Sequence, residues 1–204
     1  MFRIAQLYAA TFYYRVPRLF GILYLSFYKI LYPNFQVGSN AKIWGKFFIT
    51  IYESNGSIAI GDNLRLLSSN PRSLIASFFH SKLTVIGSGS INIGSNASLN
   101  GVAITSMNKI SIGDNVMIAP NVIIVDTDFH KHTPIADRQL LAPKSDMHNI
   151  TIESNVWIGA SAIILKGVRI GKNSVISAGS VVSRDIPANV IASGNPALEV
   201  AKLD

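Results

Sequence analysis

The chain contains no cysteine in its 204 residues. That excludes a disulfide framework, a thiol nucleophile and a thiolate metal site, and makes the cytoplasm the expected location. Charge is sparse: 14% of residues are charged against 49% apolar, so a single domain's worth of chain has ample core material and little for a solvated tail. Acidic residues are outnumbered 18 to 11 by Lys and Arg, and the net charge of +7 points to anionic partners. The basic residues form no run and no nucleic-acid motif, so nucleic acid is not expected among those partners.

Acid is missing altogether from Met1 to Tyr52, where Arg3, Arg15, Arg18, Lys29, Lys42 and Lys46 alternate with Tyr8, Phe12, Tyr13, Tyr14, Phe20, Tyr24, Phe27 and Tyr28. The uncharged stretches Ile4–Tyr14 and Leu19–Tyr28 fall well short of the ~20 residues a membrane-spanning helix needs. A signal peptide is not expected either, because Arg15 and Arg18 interrupt the apolar stretch and no small-residue cleavage pattern follows. Residues 1–35 thus read as a helical arm ended by Pro33, and two roles are open to it. It can lie in a membrane interface, aromatic rings at headgroup level and cations toward anionic lipid, or it can fold over an open end of the body and cover strand edges.

Beyond the arm a six-residue stutter dominates. Ile152, Ile158, Ile164, Ile170, Ile176 and Val182 each begin a hexapeptide. Fixed short repeats mean a solenoid. The fourth residues, Asn155, Ser161, Gly167, Asn173, Gly179 and Asp185, are turn formers, Gly and Asn tolerating left-handed backbone best. The fifth, Val156, Ala162, Val168, Ser174, Ser180 and Ile186, are compact or β-branched and suit an interior behind a tight corner. The unit recurs upstream as Val37-Gly38-Ser39-Asn40, Ile60-Gly61-Asp62-Asn63, Ile93-Gly94-Ser95-Asn96 and Ile112-Gly113-Asp114-Asn115. Ile58, Ile91, Ile110 and Ile150 each stand two residues before a repeat-initiating Ile, on the same strand face. Three hexads make one triangular coil, and the predicted body is an all-β parallel β-helix.

Asn155-Val156-Trp157-Ile158-Gly159, Gly179-Ser180-Val181-Val182 and Gly194-Asn195-Pro196-Ala197 resemble the C-terminal half of the hexapeptide-repeat acyltransferases. The branch is that of the maltose, galactoside and nodulation acetyltransferases and their relatives that O-acetylate polysaccharides. The resemblance covers residues 36–200 and implies a left-handed helix, a handedness that runs against the usual rule for parallel crossovers. It also implies a homotrimer, acetyl-coenzyme A as donor and a sugar or glycan acceptor. Residues 201–204 read as a tail.

The rhythm stops after Ile124 and resumes at Ile150, and residues 126–149 hold three of the four histidines and four of the eleven acids. Long excursions from a rigid solenoid tend to be functional, and one this long can reach a neighbouring subunit. Moving an acetyl group from a thioester to a hydroxyl requires a base at neutral pH, a task that suits imidazole. His130 stands at the place of the family's catalytic His. Asp126 and Asp128 are both candidates to support it. Lys131 stands where the family carries Pro, which bears on loop shape and acceptor choice. The resemblance further assigns the pantetheine arm to Gly159, Ala160 and Ala178, the nucleotide end to Ser183 and Arg184 with Lys166 as a further cation, and an acceptor contact to Asn100. Leu198 replaces an Arg of the family pattern.

Other readings are open. The Asp126-x-Asp128-x-His130-x-His132 pattern imitates a metal site, but a lone loop supplies poor geometry and no metal is expected. His132 and His148 read as surface loop residues, and His80, in an exposed-loop segment from Phe78 to Lys82, as a solvated or locally bonded side chain. Ser68 to Ser73 has turn chemistry and is expected to protrude. A sugar N-acetyltransferase, a γ-type carbonic anhydrase drawing zinc ligands from His80, His130, His132 and His148, and a non-catalytic assembly module are the alternatives.

Overall fold

Left-handed backbone at one residue per hexad turns this chain through its corners. In the computed structural model, which describes residues 21, 23–68, 80–133 and 146–203, Asn155, Ser161, Gly167, Asn173 and Gly179 have φ of 62°, 59°, 81°, 64° and 71°. The sixth expected corner differs. Asp185 keeps ordinary backbone, and its carboxylate instead accepts the Arg169 N–H at 2.8 Å, tying the corner to the coil below through a side chain. The fifth residues of all six hexads are buried, including Ser174 and Ser180, whose hydroxyls meet backbone groups of Pro187, Val190 and Gly194.

Each coil is three short strands. The first is β1 (Phe35–Val37), β2 (Lys42–Trp44) and β3 (Phe47–Ile51), and the second β4 (Ser57–Ile60), β5 (Arg65–Leu67) and β6 (Ser81–Val85). The third comprises β7 (Ser90–Ile93), β8 (Ser98–Asn100) and β9 (Ala103–Ser106), and the fourth β10 (Lys109–Ile112), β11 (Met117–Ile118) and β12 (Ile123–Val125). After the excursion come β13 (Ile150–Ile152), β14 (Trp157–Ile158), β15 (Ile163–Ile164), β16 (Arg169–Ile170), β17 (Val175–Ile176) and β18 (Val181–Val182). The first strands of the coils stack as one parallel sheet, the second as another and the third as a third. Register keeps Ile on Ile: Ile58, Ile91, Ile110 and Ile150 lie in one column, all 0% exposed. Full burial of such side chains contributes roughly 1.5–3 kcal/mol each. β19 (Val190–Gly194) joins the second sheet, and β20 (Ala197–Lys202) folds back antiparallel on it, so the expected tail is strand as far as Lys202.

At the other end, residues 23–31 are helical and the chain turns at Pro33. Leu25 and Tyr28 are buried against the first coil, with Tyr24 and Tyr28 rings 6.0 and 5.5 Å from that of Phe47. Burial pushes the Tyr28 phenol above its ordinary pKa. This part of the arm therefore covers the open coil. Arg3, Arg15, Arg18 and the aromatic residues from Tyr8 to Phe20 lie outside the described residues, as do the turn from Ser69 to Ser73 and Phe78-Phe79. Ser81 and Lys82, expected in an exposed loop, open β6 instead. The reason is local: Ser68, in the preceding coil edge, is fully buried and its Oγ takes the Ser81 N–H at 2.7 Å.

Candidate functional site

The triangular body has three corners, and the candidate residues divide between two of them. Asn100, Gly159, Ala160 and Ala178 stand where the second sheet passes into the third. Asp126 to His130, Lys166, Ser183 and Arg184 stand where the third passes back to the first. Within one chain the width of the third sheet separates the two groups.

The excursion leaves the body through a built neck. Asp126, directly after β12, is 0% exposed and turns back onto the preceding coil. It accepts the Met107 N–H at 2.8 Å, the Asn108 N–H at 3.0 Å and the Ser106 hydroxyl at 2.7 Å. A buried carboxylate is tolerable when donors surround it in this way. Asn108 in turn donates to Met147 O at 3.3 Å and Asn149 Oδ1 at 2.9 Å, on the returning arm. One coil above, Lys166 Nζ bonds to Asp128 Oδ2 on the outgoing arm and, at 3.0 Å, to Asp146 O on the returning one. Both arms are thus pinned from below by Asp126 and Asn108 and from above by Lys166.

Between these pins the backbone is tight. The His130 N–H donates to Asp128 O at 2.7 Å, and the Phe129 N–H to Thr127 Oγ1 at 3.0 Å. Phe129 itself has φ of 63°, an outlier for an aromatic residue and the kind of local strain that clusters at functional sites. His130 is exposed at the mouth of this turn. Asp126 and Asp128, expected as alternative supports for its imidazole, have their carboxylates committed elsewhere: Asp126 to the 106–108 corner, Asp128 to Lys166 and to His132 Nε2 at 2.9 Å. They shape the backbone that carries His130.

Lys166, expected as a cation toward phosphate, is occupied by the neck, whereas Ser183 and Arg184 are exposed on the same corner one coil higher. Gly159 has a packing reason for being glycine. A Cβ there would lie 2.5 Å from Ala178 N and 2.8 Å from Ile176 O in the next coil. Ala160 is tied across the same corner to the residue after Ala178, the Gly179 N–H donating to Ala160 O at 2.8 Å. The Asn100 Oδ1 is buried without a hydrogen-bond partner. His80 packs its ring against Phe48 at 5.8 Å, and His148 is exposed beside Gly167. Among the described residues no three His, Asp or Glu side chains gather to hold a metal. Asn108 is the residue that sequence reasoning missed. It sits in an ordinary corner, and only stacking of β10 under β13 brings it to Asn149.

A model described as "Bacterial transferase hexapeptide (six repeats)" matches residues 149–184, the coils above the neck. The galactoside O-acetyltransferase of Lactococcus lactis is 47% identical over 97 residues, 47% of this chain and 44% of that protein. The galactoside O-acetyltransferase of Escherichia coli K12 is 42% identical over 117 residues, 56% of this chain and 55% of that protein. The chain thus spans about half the length of the curated relatives it matches. A solved galactoside acetyltransferase in complex with coenzyme A superposes with a TM-score of 0.53 at 31% identity, over 87% of this chain and 70% of that one. With that coverage, and with six stacked coils whose corners fall where the repeats place them, the body is a left-handed parallel β-helix and the chain belongs to the bacterial hexapeptide-repeat transferase family.

Proposed function

We propose that this chain is an acetyl-coenzyme A-dependent O-acetyltransferase acting on a sugar hydroxyl of a surface glycan or its precursor, with His130 as general base. The observation that carries the reading is the neck. Four side chains from three coils, Asp126, Asn108, Asp128 and Lys166, hold one short turn rigid, and that turn presents an exposed histidine. In the reaction an imidazole nitrogen of His130 takes the acceptor hydroxyl proton as the oxygen attacks the thioester carbonyl. Collapse of the tetrahedral intermediate breaks the carbon–sulfur bond, and the proton passes from His130 to the leaving thiolate. Asp126 and Asp128 act as positioning residues. Fixing a base within reach of its proton is the geometric requirement for such catalysis.

Acetyl-coenzyme A is the donor in this reading because the coils matched by family resemblance carry the small-residue corner at Gly159, Ala160 and Ala178. Ser183 and Arg184 receive its phosphate end, and Lys166 serves the loop. The family resemblance supports a homotrimer, and the division of the candidates between two corners suits one. A neighbouring copy's excursion laid against the Gly159–Ala178 corner brings base and donor together, with Asn100 on the same edge to meet the acceptor. The arm supports peripheral contact with an anionic membrane: Leu23, Phe27, Ile30 and Leu31 share the helix face turned away from the body and are exposed, Ile30 at 83%. Among the described residues no helix is long and apolar enough to cross a membrane.

The test is release of free thiol from acetyl-coenzyme A with a panel of mono- and oligosaccharides, using wild type and His130→Ala. Acceptor-dependent release that falls ~10²- to 10⁴-fold in the variant is the expected result. Failure to bind coenzyme A at all would defeat the reading. Binding without any stimulated release would defeat the glycan assignment.

A further inference from the structure

A cleft of about 410 Å³ lies on the outer face of the third sheet, lined by Tyr52, Lys82, Thr84, Ile86, Thr105 and Phe129. Its size falls in the ~300–1,000 Å³ range of small-molecule sites. Register explains how three coils build it. Thr50, Thr84 and Thr105 stand side by side on β3, β6 and β9, all outward, because Ile49, Leu83 and Ile104 between them point into the core. Tyr52 and Phe129 complete the lining, Phe129 held in its left-handed turn and followed in the chain by His130.

Two details go beyond shape. Thr84 is only 5% exposed, yet its hydroxyl has no hydrogen-bond partner. Buried hydroxyls are satisfied with few exceptions, and an exception in the floor of a cleft leaves room for a partner brought by a ligand. Lys82, on the same strand, makes no ion pair with any described residue, while the carboxylates of Asp126, Asp128 and Glu153 are all engaged. A cleft with two aromatic side chains, two threonine hydroxyls and one ammonium without an ion-pair partner among the described residues matches a pyranose ring. C–H faces pack on Tyr52 and Phe129, ring hydroxyls meet Thr84 and Thr105, and an anionic substituent meets Lys82.

Building on the transferase reading, we propose that this cleft is the acceptor subsite and that it selects a sugar carrying a carboxylate or phosphate. Phe129 immediately precedes His130, so a ring seated here has its hydroxyls at the mouth of the turn that carries the base. Lys82 recognises the charge shared by a uronate and a sugar phosphate, and Thr84 and Thr105 recognise the ring.

Binding of methyl glucuronide, glucose 6-phosphate and neutral methyl glucoside, measured by ligand-observed NMR and paired with the thiol-release assay, tests this. At least one of the two anionic sugars is expected to bind about tenfold more tightly than the neutral one, and Lys82→Gln to erase that preference with no change in melting temperature. The anion whose affinity falls with Lys82→Gln identifies the substituent as carboxylate or phosphate. Thr84→Val should weaken all three sugars several-fold while leaving the melting temperature equal or higher, since it removes an unpartnered buried hydroxyl; a stability loss in that variant would make Thr84 structural and contradict the assignment. Equal binding of all three sugars by wild type, or a preference that survives Lys82→Gln, would overturn the proposal. Acetyl transfer without charge preference sinks the subsite alone, whereas Lys82-dependent binding without transfer sinks the transferase reading alone.

Discussion

The corner between the first and second sheets and the corner between the third and first both turn the chain from one sheet to the next, yet they are built in opposite ways. At the former, Asn40, Asn63, Asn96, Asn115, Asn155, Asn173 and Asn189 all adopt left-handed backbone, with φ from 57° to 64°. Their side chains form one ladder, each amide donating to the Asn above at 3.4, 3.0, 3.1, 3.0, 3.0 and 2.7 Å in order. Beside it runs a second series in which Ser39 donates to Asp62 and Ser95 to Asp114. At the latter corner the coils differ: Gly87, the short Met107-Asn108 turn, the 126–149 excursion, Gly167 and Asp185 occupy successive levels. A solenoid is stable as a sum of like neighbours, so one corner of identical residues sets the stacking. The other is free to vary and to carry chemistry.

Breaking each corner separately should give different losses. The largest loss of stability is expected from Asp126→Ala, which strands the Met107 and Asn108 N–H groups and leaves the Ser106 hydroxyl only its bond to Ser90 O. About 3 kcal/mol is anticipated by urea unfolding, with loss of activity because the neck opens. Asn115→Ala removes two rungs of the ladder and places a Cβ in a left-handed turn. About 2 kcal/mol is expected from the same measurement, and Asn115→Gly should lose less because glycine accepts the turn. Lys166→Met should lower stability by only about 1 kcal/mol or less, as for a partly exposed ion pair, while raising the acceptor KM several-fold through a looser neck.

The smallest effect is that of acid. The Ser39 N–H, then its hydroxyl, hold Asp62 below the usual carboxylate range, and the Lys172 N–H, then Arg169, do the same for Glu153. A carboxylate whose folded pKa is depressed contributes stability above its unfolded value, and that contribution is lost as pH falls through the folded one. Melting temperature should therefore be flat near neutrality and decline below about pH 4, where unfolded carboxylates take up protons. The double variant Asp62→Asn/Glu153→Gln should shallow that decline. Asp62 is exposed and Glu153 lies half-buried at the surface, so the change is modest.

The Asn corner was legible residue by residue, because hexad phase fixes which side chain meets a left-handed turn and which faces the core; Asn155 and Val156 needed only counting. The bounds of the excursion were legible as lost phase between Ile124 and Ile150. The interior of the site was not. Asp126 reads as a partner for His130 four residues away, but its carboxylate goes to residues 106–108, a coil earlier, and hexad phase does not say which coil a loop residue turns toward. Lys166 reads as a surface cation until β15 stacks over β12 and sets it above Asp128. The cleft is farther still from the linear chain, since Tyr52, Lys82, Thr105 and Phe129 belong to successive levels separated by turns of unequal length.

The most direct measurement of the central claim, that chemistry resides at the irregular corner and stacking at the regular one, is acetyl-coenzyme A consumption by wild type, His130→Ala and Asn115→Ala at a temperature where all three are folded. The account predicts that Asn115→Ala turns over like wild type despite its lower melting temperature, and that His130→Ala keeps its melting temperature and loses ~10²- to 10⁴-fold in rate. A His130→Ala protein that transfers acetyl groups at the wild-type rate would contradict it.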